Sequence, residues 1–363
     1  MAVKLFDTPD TLETVAEEWR RLADDHPLRG YDWHAGWWSH YGGSGQLFVL
    51  GVTDDDGRLI GLAPWRIEQS MRRGSAIRWL GDGEVCTDHL TLLAEPGLEQ
   101  RVACEIADYL TDDFTEWDLL KLDDVDAKEA IIGQLANALA ERDGIVAIKE
   151  AGACWTIDLP SDWEEFLACQ SKSHRKQLRR AERRVLDSDR CTWHPVETQV
   201  ELAEAWPIFV DLHQRRRQSL GEPGCFASPR FEAFHRELAG KLLERDQLRL
   251  SWLELEGRPA AAEYHFAGQG AVYAYQGGVD PDLLDDEPGR LSNIATIKAA
   301  IEAGVTTFDF LRGDEPYKAH WRAVPKPTVH LQVVPPRQTA RFRAGANQLA
   351  GAVRSGLKSL AKD

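Results

Sequence analysis

The chain is short of positive charge. Among its 363 residues, 59 Asp and Glu outnumber 43 Lys and Arg, which leaves a net charge of −16. That balance argues against a general nucleic-acid binder, which needs a basic surface. Long apolar runs are missing too. The longest stretch free of Asp, Glu, Lys and Arg runs from Trp33 to Thr53. It is rich in Gly, Ser and His and reads as a series of turns, so it is not expected to span a membrane. The N-terminus lacks the basic, apolar and small-residue succession of a secretory signal, and none is expected. Cysteines are few and scattered: Cys86, Cys104, Cys154, Cys169, Cys191 and Cys225, with no CxxC pair. Neither a zinc site nor a disulfide framework is expected, and reduced cytoplasmic thiols are the plain reading. No His pair and no His/Cys/Asp spacing points to a metal.

What is present fits a globular chain with packed cores, 43% hydrophobic and long enough for roughly two domains. A faint internal duplication divides it. Gln46–Leu50 with Gly57–Gly61 reads as a hairpin around a Gly turn, and Gln247–Leu250 with Gly257–Ala261 reads the same way. Further on, Trp117-Asp118-Leu119-Leu120-Lys121-Leu122-Asp123-Asp124 resembles Phe308-Asp309-Phe310-Leu311-Arg312-Gly313-Asp314-Glu315. Each of these follows a helix-like stretch, Leu98–Leu110 and Arg290–Ala303. The spacing of apolar residues predicts helices over Thr11–Ala23, Ala130–Glu141, Trp163–Asp187, Leu202–Arg217 and Pro229–Glu244. Strands are predicted at Gly45–Val52, Leu59–Ile67, Ala76–Leu80, His89–Leu93, Ile145–Lys149, Cys154–Leu159, Leu248–Leu255, Ala260–Ala267, Ala271–Gly277 and 306–311. Three segments are expected: residues 1–152, residues 153–336, and a basic tail over 337–363.

The richest stretch runs from Phe308 to Trp321. An apolar strand passes into Arg312-Gly313-Asp314-Glu315-Pro316-Tyr317-Lys318-Ala319-His320, and a strand end followed by a Gly turn is where α/β folds place ligand sites. Pro288-Gly289 opens the helix before it. Residues 172–184 hold seven Lys and Arg against one Glu, with Leu178, Ala181 and Val185 at helical spacing. This is the pattern of a surface helix able to attract phosphates of a ligand or of anionic lipid headgroups at a membrane surface. No stacking aromatics interleave the charges, so nucleic acid is not the expected partner.

Taken together, Ser171–Arg180, Leu212–Arg216, Pro288-Gly289 and Asp309–Glu315 with Tyr317, Lys318 and Trp321 resemble the GNAT acyltransferase superfamily. The resemblance extends from about residue 10 to residue 335. The nearer likeness is to the CelD-like or BioF2-like acetyltransferases linked to exopolysaccharide and cellulose synthesis, relatives of the Fem-type aminoacyl transferases. It implies an α/β fold of tandem GNAT-like units, each a mixed, mostly antiparallel central sheet flanked by helices. The first unit would be non-catalytic and the second would carry the transferase. It also implies acetyl-CoA or another acyl-CoA as donor, no metal, and a small-molecule or saccharide acceptor with an amine or hydroxyl. A Fem-like transferase using aminoacyl-tRNA and a non-catalytic GNAT-shaped module are the alternatives.

The resemblance assigns roles as well. Gly289, Arg290, Leu291, Ser292 and Asn293 take the place where GNAT folds seat the CoA pyrophosphate on a helix N-terminus. They depart from the usual Gln/Arg-x-x-Gly-x-Gly/Ala loop, which leaves room for another donor. Tyr317 falls near the family's acid, and Lys318 resembles a Lys of the Fem-type enzymes, which implies a catalytic charge that stabilises a developing oxyanion or a phosphate. Without the resemblance, both simply open a surface helix. Asp309 and Glu315 are candidate bases, although Asp118 at the matching place of the first copy favours a structural Asp309. His213, Arg216, Arg312 and Trp321 are candidate substrate contacts, with a buried, satisfied His213 as the plainer alternative.

Overall fold

Strands buried almost continuously, such as Leu47–Thr53 and Leu59–Trp65, and helices with three-to-four-residue apolar spacing build two units, each around its own sheet. The computed structural model describes residues 1–43, 45–71 and 74–346. Of these, residues 1–23, 28–152 and 327–346 form one unit, and 24–27 and 153–326 the other.

In the first unit, β1 (Ala2–Phe6) leads into α1 (Pro9–Glu13) and α2 (Ala16–Ala23). The Thr8 hydroxyl accepts from the Thr11 N–H, and Pro9 takes the first helical turn, where a missing N–H does no harm. Next come α3 (Tyr31–Tyr41), β2 (Gln46–Thr53), β3 (Leu59–Ser70) and β4 (Gly74–Trp79). The short β5 (Leu93–Ala94) and α4 (Glu99–Asp108) cross to β6 (Leu119–Asp126), and α5 (Ala130–Glu141) and β7 (Ile145–Asp158) follow. Strands β1 to β4 pair antiparallel in order, whereas β4 and β6 run parallel. Val102, Ile106, Leu135 and Leu139 of α4 and α5 pack with Phe48, Trp65 and Leu120 of the sheet.

The second unit continues with α6 (Trp163–Cys169), α7 (Lys172–Ala181), β8 (Cys191–Pro195), α8 (Gln199–Ser219) and α9 (Pro229–Glu244). A meander of β9 (Leu248–Leu255), β10 (Arg258–Gly268) and β11 (Ala271–Val279) precedes α10 (Pro288–Glu302), β12 (Thr307–Arg312), α11 (Pro316–His320) and β13 (Val324–Val334). Here β8 to β11 pair antiparallel, and β11 and β12 run parallel. One sheet face receives aromatics of α8 and α9: Trp206 meets Tyr264 edge-on at 5.5 Å. The other buries Phe308 and Phe310 against Trp163, Phe166, Leu178, Ile294 and Ile297. Each such side chain contributes about 1.5–3 kcal/mol by leaving water.

Both units therefore repeat one order: a hairpin, a third antiparallel strand, a helical crossover, and a strand parallel to the third. This is the mixed α/β architecture, mostly antiparallel and flanked by helices, expected from the sequence. Each unit is closed by a strand from the other half of the chain. Residues Cys154–Asp158 of β7 pair with β12, and Thr328–Val333 of β13 pair with β6. A sequence boundary at 336 separates that last stretch from the unit in which it folds.

Several local expectations need correction. Tyr31–Tyr41 is a helix, not a run of turns. His89–Leu93 holds only the start of the two-residue β5. The strands expected at 145–149 and 154–159 are one, β7. The helix expected over 163–187 is broken: Gln170 and Ser171 are extended, and the Ser171 hydroxyl caps the His174 N–H at 3.2 Å. Of the basic tail, 338–346 is helical, and 347–363 lies outside the described residues. Among the described residues no helix is long and apolar enough to cross a membrane.

Asp118 ties the tail to the first unit. It is buried, accepts from Arg337 at 2.6 Å and from the Ser75 N–H at 3.0 Å, and pairs with Arg343. Burial pushes its carboxyl up, but the hydrogen bonds from Arg337 and Ser75 and the charges of Arg337 and Arg343 outweigh burial and hold it low. Gly74 makes room, since a Cβ there would sit 1.8 Å from the Asp118 carboxylate. Asp118→Asn is expected to lower stability at neutral pH by about 1–3 kcal/mol, read from urea unfolding. With the folded pKa below the unfolded one, the contribution is full above about pH 4 and fades as pH falls through the folded value. The two proteins should converge on acidification; a constant gap would show that the charge is not responsible.

Candidate functional site

In the second unit β11 and β12 stay in register for three pairs only: Ala271 with Thr307, Val272 with Phe308 and Tyr273 with Asp309. Both strands run on, to Val279 and Arg312, without further ladder pairs between them among the described residues. Two parallel strands that part leave backbone donors and acceptors on both rims, open to an extended ligand. The residues around this opening form the candidate site.

On the β11 side, two adjacent glycines allow close approaches. A Cβ on Gly278 would lie 2.3 Å from the His213 amide nitrogen, so α8 presses its backbone onto the strand there. A Cβ on Gly277 would lie 2.5 Å from a carboxylate oxygen of Glu263, its register partner on β10. Glu263 is largely buried, with Oε2 3.3 Å from His265 Nε2. His213 is buried as well: Nδ1 lies 3.1 Å from Gln214 Oε1 and Nε2 3.5 Å from Cys225 Sγ. Burial lowers its pKa, although hydrogen bonds to Gln214 and Gln276 oppose this. His213 is thus a satisfied core histidine rather than an open substrate contact. Its neighbour Arg216 is half-buried, and among the described residues no carboxylate holds its guanidinium.

On the β12 side, the strand ends in a strained turn. Leu311 has φ +56° and Gly313 φ +108°, and a leucine in the left-handed region needs outside support. Two buried groups supply it. Asp309 Oδ1 accepts from the Leu311 N–H at 2.7 Å. Lys318, 2% exposed, donates from Nζ to the carbonyls of Leu311, Arg312 and Gly313 at 3.3, 2.7 and 2.9 Å. Its charge is matched by Glu315 at 3.0 Å. The expectation of Lys318 as a group facing substrate is therefore corrected: its ammonium is occupied in shaping the turn. Asp309 serves the same turn, in keeping with its structural alternative. Glu315 folds over Gly313, where a Cβ would lie 2.5 Å from its carboxylate. Arg312 is half-buried at the strand end and gives its carbonyl to Lys318.

Tyr317 projects from the first turn of α11, edge-on to Phe310 at 5.7 Å. The residue is 45% exposed, yet burial at its hydroxyl end raises the phenol pKa. The charges of Glu263 and Glu315 raise it further, and Arg217 opposes them. The phenol therefore stays protonated well above neutral pH. Trp321 does not join them. It is buried in the core beside Phe166 and His174, at 6.3 and 5.3 Å, and the expectation of a substrate contact there is corrected.

The start of α10 follows from Glu287, whose φ of +54° turns the chain before Pro288. Gly289 sits in the first turn, and Arg290 pairs with Glu287 at 2.7 Å. Leu291 and Ser292 are buried, and Asn293 donates to the Gly289 carbonyl at 2.7 Å. Of the five residues expected to hold a donor's phosphates, Leu291 and Ser292 face inward, and Gly289 and Arg290 lie in the first turn of the helix. Other cations gather here. His174 has its pKa lowered by burial and then by the charges of Arg290, His320 and Arg322, while a hydrogen bond to the His320 backbone opposes them. Mutually repelling cations beside a helix N-terminus suit an anion such as a pyrophosphate.

Residues 172–319 match an acetyltransferase (GNAT) domain. The GNAT match contains α10, the parting strands, Glu263, Tyr317 and Lys318. No curated protein matches the chain. Among solved structures, FemX has a TM-score of 0.65 at 12% identity, covering 91% of this chain and 97% of its own. A conserved protein of unknown function from Bacteroides thetaiotaomicron VPI-5482 reaches 0.57 at 13% identity, covering 92% and 99%. The C-terminal domain assigned to a lysylphosphatidylglycerol synthetase from Agrobacterium fabrum reaches 0.55 at 10% identity, covering 94% and 97%. At such identities the likeness is one of fold.

Sequence reasoning missed Glu263, Gln276 and the cation group around His174. A glycine pair inside a strand signals close backbone approach, and Gly277-Gly278 was the available pointer. Removing the Glu263 charge by Glu263→Gln should lower the Tyr317 pKa, since a carboxylate disfavours phenolate. Carbon-13 tyrosine NMR, assigned with Tyr317→Phe, measures it; an unmoved resonance would separate the two side chains electrostatically.

Proposed function

We propose that the protein transfers an acyl group from acyl-CoA to an amine or hydroxyl acceptor, with the second unit as the working one. The observation that carries this reading is the early parting of β11 and β12 inside the GNAT-matching segment, flanked by the α10 N-terminus and by Tyr317. An extended pantetheine arm suits the unpaired rims of the two strands. Gly289 and Arg290 suit the donor's phosphates.

The acceptor's lone pair attacks the thioester carbonyl carbon, and the carbon–sulfur bond of the resulting adduct then breaks. The acceptor must lose a proton and the departing thiolate must gain one. Tyr317, protonated at neutral pH, is the acid that supplies the thiolate. Glu263 is the carboxylate best situated to take the acceptor's proton, with exposed Glu315 as the other candidate. Lys318 and Asp309 act through the turn they hold, as positioning residues. Arg216 and Arg312, both half-buried, suit an anionic or polyhydroxylated acceptor, in line with a cytoplasmic role on an envelope saccharide of the CelD-like or BioF2-like kind.

Calorimetry with acetyl-CoA, CoA and longer acyl-CoAs tests the donor. Saturable binding should be lost in Arg290→Glu and kept in Tyr317→Phe, whereas Tyr317→Phe should lower turnover about 10²- to 10⁴-fold. Absence of binding to every acyl-CoA would overturn the donor assignment and favour a Fem-like donor, aminoacyl-tRNA. Binding with undiminished turnover in Tyr317→Phe would remove Tyr317 as the acid.

A further inference from the structure

The basic helix of the second unit plays no part in the transfer chemistry above. It begins at the Ser171 cap as α7 and runs through a π turn over Glu182–Leu186. Leu178 is fully buried and fixes which side of α7 faces inward. At about 100° per residue, Lys172, Lys176, Arg179, Arg180 and Arg183 fall on the opposite side, and all five are exposed.

These charges are not neutralised by neighbours. Arg179 pairs with Glu164. Among the described residues no carboxylate holds Lys172, Arg175, Lys176, Arg180, Arg183 or Arg184. Glu182, the one acid on the helix, turns away to Lys298 at 2.7 Å and Trp163 at 3.2 Å. In a chain of net charge −16, concentrating unpaired cations on one helix is against the average. It also has a cost, because like charges at helical spacing repel one another. A counter-charge from outside the chain relieves that repulsion.

The shape of the patch selects the counter-charge. From Lys172 to Arg184 the helix advances about 18 Å at 1.5 Å per residue. A small phosphate ester engages two or three of the cations and leaves the others unpaired. A single-stranded nucleic acid would be expected to use aromatics for base stacking, and residues 172–184 contain none. A bilayer surface with anionic headgroups presents many negative charges in one plane and meets every cation of a straight exposed face. We propose that the exposed side of residues 172–184 docks the protein on an anionic lipid surface. The first turn of α7 lies beside the end of α11, where His174 meets Trp321 edge-on at 5.3 Å. Docking therefore keeps the mouth near α10 and α11 close to the lipid plane.

Co-sedimentation of the full-length protein with extruded vesicles tests this without reference to any acyl donor. Phosphatidylcholine vesicles containing phosphatidylglycerol should pull the protein down, pure phosphatidylcholine vesicles should not, and added salt should release it. Reversing Lys172→Glu, Lys176→Glu, Arg180→Glu and Arg183→Glu together should weaken binding about a hundredfold or more. A charge-preserving variant, Lys172→Arg with Lys176→Arg, Arg180→Lys and Arg183→Lys, should bind like wild type and guards against misfolding as the cause. Circular dichroism melts on each variant check that the remainder of the protein is intact. The proposal is overturned if the wild type ignores anionic vesicles, if it binds neutral and anionic vesicles equally, or if the reversed variant still binds. Retention of tRNA or inorganic polyphosphate at the same salt, with no vesicle binding, would also overturn it and identify a soluble polyanion as the partner.

Discussion

The Lys318 ammonium holds the candidate site together. A buried cation must be paired or hydrogen-bonded, and Lys318 meets that requirement with three consecutive carbonyls and one carboxylate. Those carbonyls belong to a turn whose Leu311 sits in a backbone region leucine avoids. The turn stops β12 and starts α11, so it sets where Tyr317 emerges. Asp309 steadies the same turn from the strand side. Two charged residues that look catalytic in the sequence thus act on the backbone, and through it they set the place of the Tyr317 phenol.

Charge is distributed unevenly for a chemical reason. The chain as a whole is acidic, yet cations collect in the second unit around the starts of α7 and α10 and the end of α11. Burial and, after it, the charges of Arg290, His320 and Arg322 lower the pKa of His174. At Tyr317, burial first and then the charges of Glu263 and Glu315 keep a proton on the phenol. The proposed transfer uses the first region for the donor's negative charge and the second for a proton.

The repeat was legible in the sequence because its hairpins carry short apolar runs around Gly turns, and those local signals survive without tertiary help. Pro229–Glu244 and Leu248–Leu255 were read to the residue for the same reason: a Ser–Pro start, and a turn at each strand end. The helix Tyr31–Tyr41 was illegible because its aromatic residues are spread around it, with no apolar stripe. The interruption at Gln170 and Ser171 was hidden because polar residues fit both a cap and a helix surface. In the site, the segment after β12 was found but its roles were misassigned. Residue type says that Lys318 is charged; only the fold says that its charge points at carbonyls. Glu263 escaped notice because its partner, Tyr317, lies far off in sequence and is brought near by the sheet.

The closing strands bear on how the protein comes off the ribosome. The first unit lacks the partner of β6 until Val333 has been made. During synthesis of almost the whole chain, β6 therefore presents an unsatisfied edge, which invites pairing with other chains. The second unit has no such wait: its borrowed strand, the end of β7, is already in place when β12 emerges. Order of synthesis thus favours the second unit maturing first and the first being sealed last.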